Sequence, residues 1–156
     1  MQVFTIACLI TFLWLSFGYS LAFAPVQPNG HVNEVYGNAE RLWLRGMMIT
    51  TAHMLAPTIP EAIFCAYQLT FAIITAGLIC GSFADRMKYH SMMIFIAFWH
   101  LIVYCPLAHS NWHPQGWMYR LGSFSMHLVL LFSDHFIIDN IIHRVQLLYQ
   151  PSSYST

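Results

Sequence analysis

The stretch AIFCAYQLTFAIITAGLICGSF, residues 62–83, decides the fold. It contains no Asp, Glu, Lys or Arg. At a rise of about 1.5 Å per residue, it is long enough for the roughly 20 apolar residues that carry a helix across about 30 Å of hydrocarbon. An unpaired charge in hydrocarbon is costly, so a charge-free run of this length reads as a membrane span. Two similar runs flank it, residues 3–23 before and residues 92–108 after, each again without a charged side chain. Composition agrees: 58% of the 156 residues are apolar and 8% charged, far from the balance of a soluble globular protein.

Six basic and six acidic residues cancel, so no basic stripe offers itself to nucleic acid, and the expected surroundings are a lipid bilayer. Cys8, Cys65, Cys80 and Cys105 lie inside apolar stretches without C-x-x-C spacing, which speaks against a disulfide framework or a zinc knuckle. The first run ends in Ala22-Phe23-Ala24, which also reads as a signal-peptide cleavage site. Against that reading, no basic residue precedes the run and Pro25 follows directly. Retention as a span is expected.

Residues 25–60 form the long polar connection, opening with Pro25, Pro28, Asn29 and Gly30. Within it Asn38 is expected to cap a short helix through Arg45, ended by Gly46. Thr58-Ile59-Pro60-Glu61 reads as a capping box at the start of the second span. Arg41, Arg45 and Arg120 on one side balance Arg86, Lys88 and Arg144 on the other. Short loops near span ends weigh most, so Arg86 and Lys88 are placed in the cytoplasm and residues 25–60 outside. After Gly122 the pattern deteriorates. Residues 124–142 contain Asp134 and Asp139, and one unpartnered aspartate at mid-membrane costs about 3 kcal/mol or more. That segment, within the divergent stretch 123–150, is read as either a fourth span or a helix lying at the interface, and residues 151–156 as a disordered tail. The expected fold is therefore all-α, a polytopic transmembrane protein with three spans and an open question over a fourth.

Tyr67 and Phe71 are four apart and share one helix face, while Trp112 and Trp117 follow the third run. If these rings converge they form an aromatic mouth, and ring faces attract a cation by about 0.5–2 kcal/mol each. The plainer reading is an interfacial belt of Tyr and Trp, common to most membrane proteins. The surrounding motifs bear on that choice. Gly18-Tyr19-Ser20-Leu21-Ala22-Phe23, Tyr36-Gly37-Asn38, Thr58-Ile59-Pro60-Glu61, Phe71-Ala72-Ile73-Ile74-Thr75, Gly81-Ser82-Phe83-Ala84-Asp85-Arg86-Met87-Lys88 and Tyr104-Cys105-Pro106-Leu107-Ala108-His109 with Trp112 occur in order at compatible spacing. Together they resemble the Amt/Mep/Rh ammonium transporter family over residues 1–122.

The resemblance implies that Phe71 is the outer-gate phenylalanine, Tyr67 its aromatic neighbour and Trp112 the tryptophan of an external ammonium site. It gives Asp85, Arg86, Pro106 and His109 structural parts. In that family, it implies, ammonium is captured at the aromatic mouth and deprotonated, and ammonia crosses a pore lined by two histidines. Departures carry implications too. Met1 falls where the family begins its second helix, and after Gly122 the family's Leu-Asp-Phe-Ala-Gly-Gly is replaced by Ser123-Phe124-Ser125-Met126-His127-Leu128. No pore histidine can be placed, so the expectation is a truncated relative, in the plasma membrane, that does not conduct alone. The alternative is an interfering or regulatory subunit that packs against full-length transporters; homo-oligomers are a further possible association. His109 and His113 have the i, i+4 spacing of a metal pair, but Pro114 follows and no third ligand is evident, so no metal or cofactor is expected. No Ser/His/Asp set, phosphate loop or carboxylate pair points to an enzyme.

Overall fold

The computed structural model describes residues 2–24, 35–48, 50–83 and 87–121. Asp85, Arg86, the segment 123–150 and the tail 151–156 lie outside them. Among the described residues three helices are long and apolar enough to cross a membrane: Val3–Phe23, Glu61–Gly81 and Tyr89–Arg120.

The first span is one rod with a change of pitch. α1 (Gln2–Leu13) passes through a π turn, Trp14–Gly18, into α2 (Tyr19–Phe23). Its inward side carries Ile6, Ile10, Trp14, Tyr19, Ala22 and Phe23, all buried. The third span repeats the device: α4 (Tyr89–Trp99) runs through a π turn, His100–Tyr104, into α5 (Cys105–Trp112). A π turn opens the backbone by one residue. Here it precedes Pro106, whose missing N–H and bulky ring would strain a regular helix. The rod Tyr89 to Trp112, about 36 Å at 1.5 Å per residue, breaks at His113, where ψ is 138°. A short turn, α6 (Trp117–Arg120), follows. The second span is α3 (Glu61–Phe83), 23 residues.

The two π turns meet. Trp14 lies edge-on to His100 and to Tyr104, with ring centroids 6.0 and 6.2 Å away, and its Nε1–H donates to the Cys65 carbonyl of the second span at 3.3 Å. One buried indole thus joins all three spans. Gly18 permits the approach, because a Cβ there would stand 3.0 Å from His100 Nε2 and 3.0 Å from the Trp14 ring.

The expectation of an all-α chain needs one amendment. The polar connection contains a small antiparallel sheet, β1 (Ala52–His53) with β2 (Ala56–Pro60). Asn38 does accept the Glu40 N–H at 3.0 Å, but only a 3-10 turn, Leu42–Leu44, follows, with Trp43 and Leu44 at positive φ. Gly46 sits at φ 76°, as a residue ending a turn should. The capping box is also redirected. The Glu61 N–H donates to the Thr51 carbonyl at 2.7 Å, and its carboxylate turns inward, to the Tyr19 hydroxyl at 3.1 Å, the Thr51 hydroxyl at 3.3 Å and Arg41 at 3.2 Å.

Candidate functional site

A helix leaves its last carbonyls without internal partners, and a spanning helix cannot leave them bare near hydrocarbon. At the end of the first span three consecutive carbonyls are met from three different places. Leu21 O accepts the Gly37 N–H at 2.6 Å, Ala22 O accepts His109 Nδ1–H at 2.8 Å, and Phe23 O accepts His53 Nε2–H at 3.0 Å. Gly37 is required there, because a Cβ would lie 2.5 Å from Ser20 O. Ser20 completes the seam: its hydroxyl donates to Asn38 O at 2.7 Å and accepts the Arg41 N–H at 3.1 Å. The two motifs 18–23 and 36–38 are thus the two halves of one junction.

This junction holds a cluster of rings at the same end of the bundle. Phe23 ends the first span and lies parallel to Trp112, the last residue of α5 in the third, at 6.2 Å and 11°. Trp112 in turn faces Phe71 of the second span at 6.2 Å and 55°. Tyr67, one turn from Phe71, meets it edge-on at 5.0 Å and 82°. Phe71 and Trp112 are half-buried, and Tyr67 is 58% exposed. The sequence-predicted trio Tyr67, Phe71 and Trp112 is therefore contiguous, with each spanning helix contributing a ring to the cluster. Trp117, on α6, is exposed.

Behind Phe23 lies a layer that sequence reasoning missed. Phe64 meets Phe23 edge-on at 5.3 Å, and His53 of β1 stacks flat on Phe64 at 4.4 Å and 9°. A lone histidine in a polar connection carries no pattern, and only its place in the hairpin gives it meaning. Burial holds the His53 imidazolium below the ordinary histidine range. The Phe23 carbonyl and Glu61 favour its charged form and partly offset that effect, while Arg41 adds to it.

His109 and Pro106 are both buried in the last part of the third span. The i, i+4 pair His109 and His113 stacks at 4.4 Å and 16°, but Nδ1 of His109 is used on Ala22 and Nδ1 of His113 accepts the Gln115 N–H at 3.2 Å. Among the described residues no three His, Cys, Asp or Glu side chains gather as a metal site would need. Asp85 and Arg86 fall outside the described residues. Chemically, the cluster offers electron-rich ring faces and, among the described residues, no full negative charge, which suits a small cation that must bind and then leave.

The profile of the Ammonium Transporter Family matches residues 1–139. This chain belongs to the ammonium transporter family. Among similar proteins are an ammonium transporter of Bacillus subtilis, 35% identical over 123 residues, which cover 79% of this chain and 28% of the relative. Ammonium transporter MEP2 of Saccharomyces cerevisiae is 36% identical over 112 residues, 72% of this chain and 21% of the relative. The crystal structure of Candida albicans Mep2 superposes with a TM-score of 0.66 at 34% identity, covering 76% of this chain and 24% of that one. The chain thus spans about a quarter of the length of the ammonium transporters it matches. It is a helical membrane protein of that family, whose members are transporters rather than enzymes.

Proposed function

We propose that this chain serves ammonium transport across the plasma membrane, and that its Tyr67–Phe71–Trp112 cluster recruits ammonium at the outer face. The convergence of those three rings carries the reading. Each half-exposed ring adds about 0.5–2 kcal/mol of attraction for a cation, and among the described residues no carboxylate sits with them to hold the ion too tightly for release. Residues 35–48 and 50–60 pack on this end of the bundle, and the positions of Arg86 and Lys88 favour an outer location for it. Recruitment, rather than passage through the membrane, is what the described residues support. The substrate is a compact N–H cation, and no enzymatic chemistry is assigned to the chain.

Binding of methylammonium to the purified chain in detergent micelles tests this reading. Trp112 should respond to the cation, and Trp112→Ala, read by calorimetric titration, should weaken binding about 2- to 30-fold while helicity is retained. A Trp112→Ala chain that is folded and still binds methylammonium as well as the wild type removes the proposal.

Association with full-length transporters is a second reading, favoured by outward rows of large apolar side chains. Ile74 and Leu78 form one row, and Ile94, Phe98 and Ile102 form another, all between 57% and 62% exposed. Co-purification with an intact transporter supports it, and recovery of the chain alone from cells that contain one rejects it.

A further inference from the structure

His53 is 3% exposed, and both of its ring nitrogens are committed. Nε2 lies 3.0 Å from the Phe23 carbonyl, which can only accept, so the Nε2 proton is donated there. Nδ1 accepts the Leu55 N–H at 3.2 Å, inside the turn that joins β1 to β2. These two bonds fix one neutral tautomer. A proton added to Nδ1 would set two donors against each other, and the Leu55 N–H would lose its acceptor. The same ring backs a ladder that runs from His53 to Phe64, from Phe64 to Phe23, and from Phe23 to Trp112.

We propose that His53 is a proton-operated clasp on the aromatic cluster: the neutral ring seats Phe64 and Phe23 behind Trp112, and protonation frees the hairpin turn and lets Trp112 leave its fixed orientation. The consequence for transport, weaker recruitment of ammonium in acid, rests on the recruitment reading, whereas the clasp does not. His53 is thus a positioning residue, acting through Phe23 on Trp112.

The groups around it set the direction. Tyr19 of the first span lies 6.5 Å away ring to ring, Arg41 and Glu61 act on it from the polar connection and the second span, and His113 from the end of the third. Glu61 favours the imidazolium, but its carboxylate is already held by Arg41 and Tyr19. Burial opposes the imidazolium most and Arg41 adds to that, against the hydrogen bond to the Phe23 carbonyl, which favours it. Folding therefore depresses the affinity of His53 for a proton, and the clasp is intact above the ordinary histidine pKa of about 6.5 and weakens as pH falls below it. Down to the depressed folded value, the ratio of open to clasped forms rises by up to about tenfold per pH unit.

The test uses the full chain in micelles, labelled with 5-fluorotryptophan, and follows the Trp112 fluorine resonance from about pH 8 to about pH 4.5, a range that brackets the ordinary histidine value. Trp112→Phe assigns that resonance, and His53→Gln assigns the His53 signals in a chain with carbon-13-labelled imidazoles. The expected result is a Trp112 shift whose midpoint coincides with the titration of His53, absent in both His53→Gln and His53→Phe. A Trp112 resonance that stays still while His53 titrates, or a response that persists in both variants, overturns the clasp. If neither variant folds, the agreement or disagreement of the two midpoints in the wild type decides. Methylammonium added at about pH 8, above the ordinary histidine value, separates the two readings. Loss of its effect with the pH response intact rejects recruitment alone, and the reverse rejects the clasp alone.

Discussion

Breaking the Arg41–Glu61 ion pair should cost unequal amounts according to which partner is removed. The two charges are 3.2 Å apart, but Glu61 is 2% exposed and the Arg41 side chain 19%. Arg41→Met strands a carboxylate that cannot reach water. Removing one member of a buried pair in this way costs about 3–5 kcal/mol. Glu61 keeps the Tyr19 and Thr51 hydroxyls as donors, so the lower end, about 3 kcal/mol, is expected. Glu61→Gln instead strands a guanidinium that can turn toward solvent, and its amide oxygen still accepts a hydrogen bond, so a loss of about 1–2 kcal/mol is expected. The double variant contains no buried charge at this point and should be more stable than Arg41→Met alone. Reversible SDS titration in mixed micelles, followed by helicity, measures all three. Salt at about 1 M, where the screening length is about 3 Å, should leave the cost of Arg41→Met nearly unchanged. Equal costs for the two single variants, or a double variant as unstable as their sum, would refute the idea that burial of Glu61 governs the pair.

Three other outcomes are expected. Trp112→Ala should weaken methylammonium binding about 2- to 30-fold, the range spanned by one cation–π contact, as read by titration in micelles. Gly37→Ala drives a Cβ to 2.5 Å from Ser20 O. It should destabilise the chain by about 1–3 kcal/mol and speed limited proteolysis of residues 35–48. Trp14→Phe removes the donor to Cys65 O while leaving an aromatic ring in place, and should lower stability by about 1 kcal/mol in the SDS titration.

The three spans were legible because a bilayer imposes one demand that sequence displays openly, a charge-free run of sufficient length. Tyr67, Phe71 and Trp112 could be nominated from helical spacing and family motifs, and the rings prove to lie together. The hairpin was not legible. β1 has two residues and β2 contains Pro57 and Pro60, so neither strand shows alternation or ordinary strand chemistry. Local pattern makes Glu61 a capping side chain for its own helix, whereas the nearest donors lie on Tyr19, Arg41 and Thr51. The motifs mark His109 as structural without supplying its partner, and no pattern in the sequence marks His53. Both answer the open carbonyls at the end of the first span, a need created by a helix terminus far from either histidine in sequence.

The π turn at Trp14–Gly18 has a consequence for how the first span tolerates change. Each residue of a regular helix advances the azimuth by about 100°, and a widened turn takes up one more residue without that added rotation. Excising a single position between Trp14 and Gly18 would let the turn close to regular α pitch with Ser20, Ala22 and Phe23 still facing Asn38, His109 and His53, whereas a deletion between Ile10 and Trp14 would rotate Ile6 and Ile10 off the inward side. The widened turn is slack in the rod, a place where the chain can shorten by one position without rotating the polar seam against the greasy one.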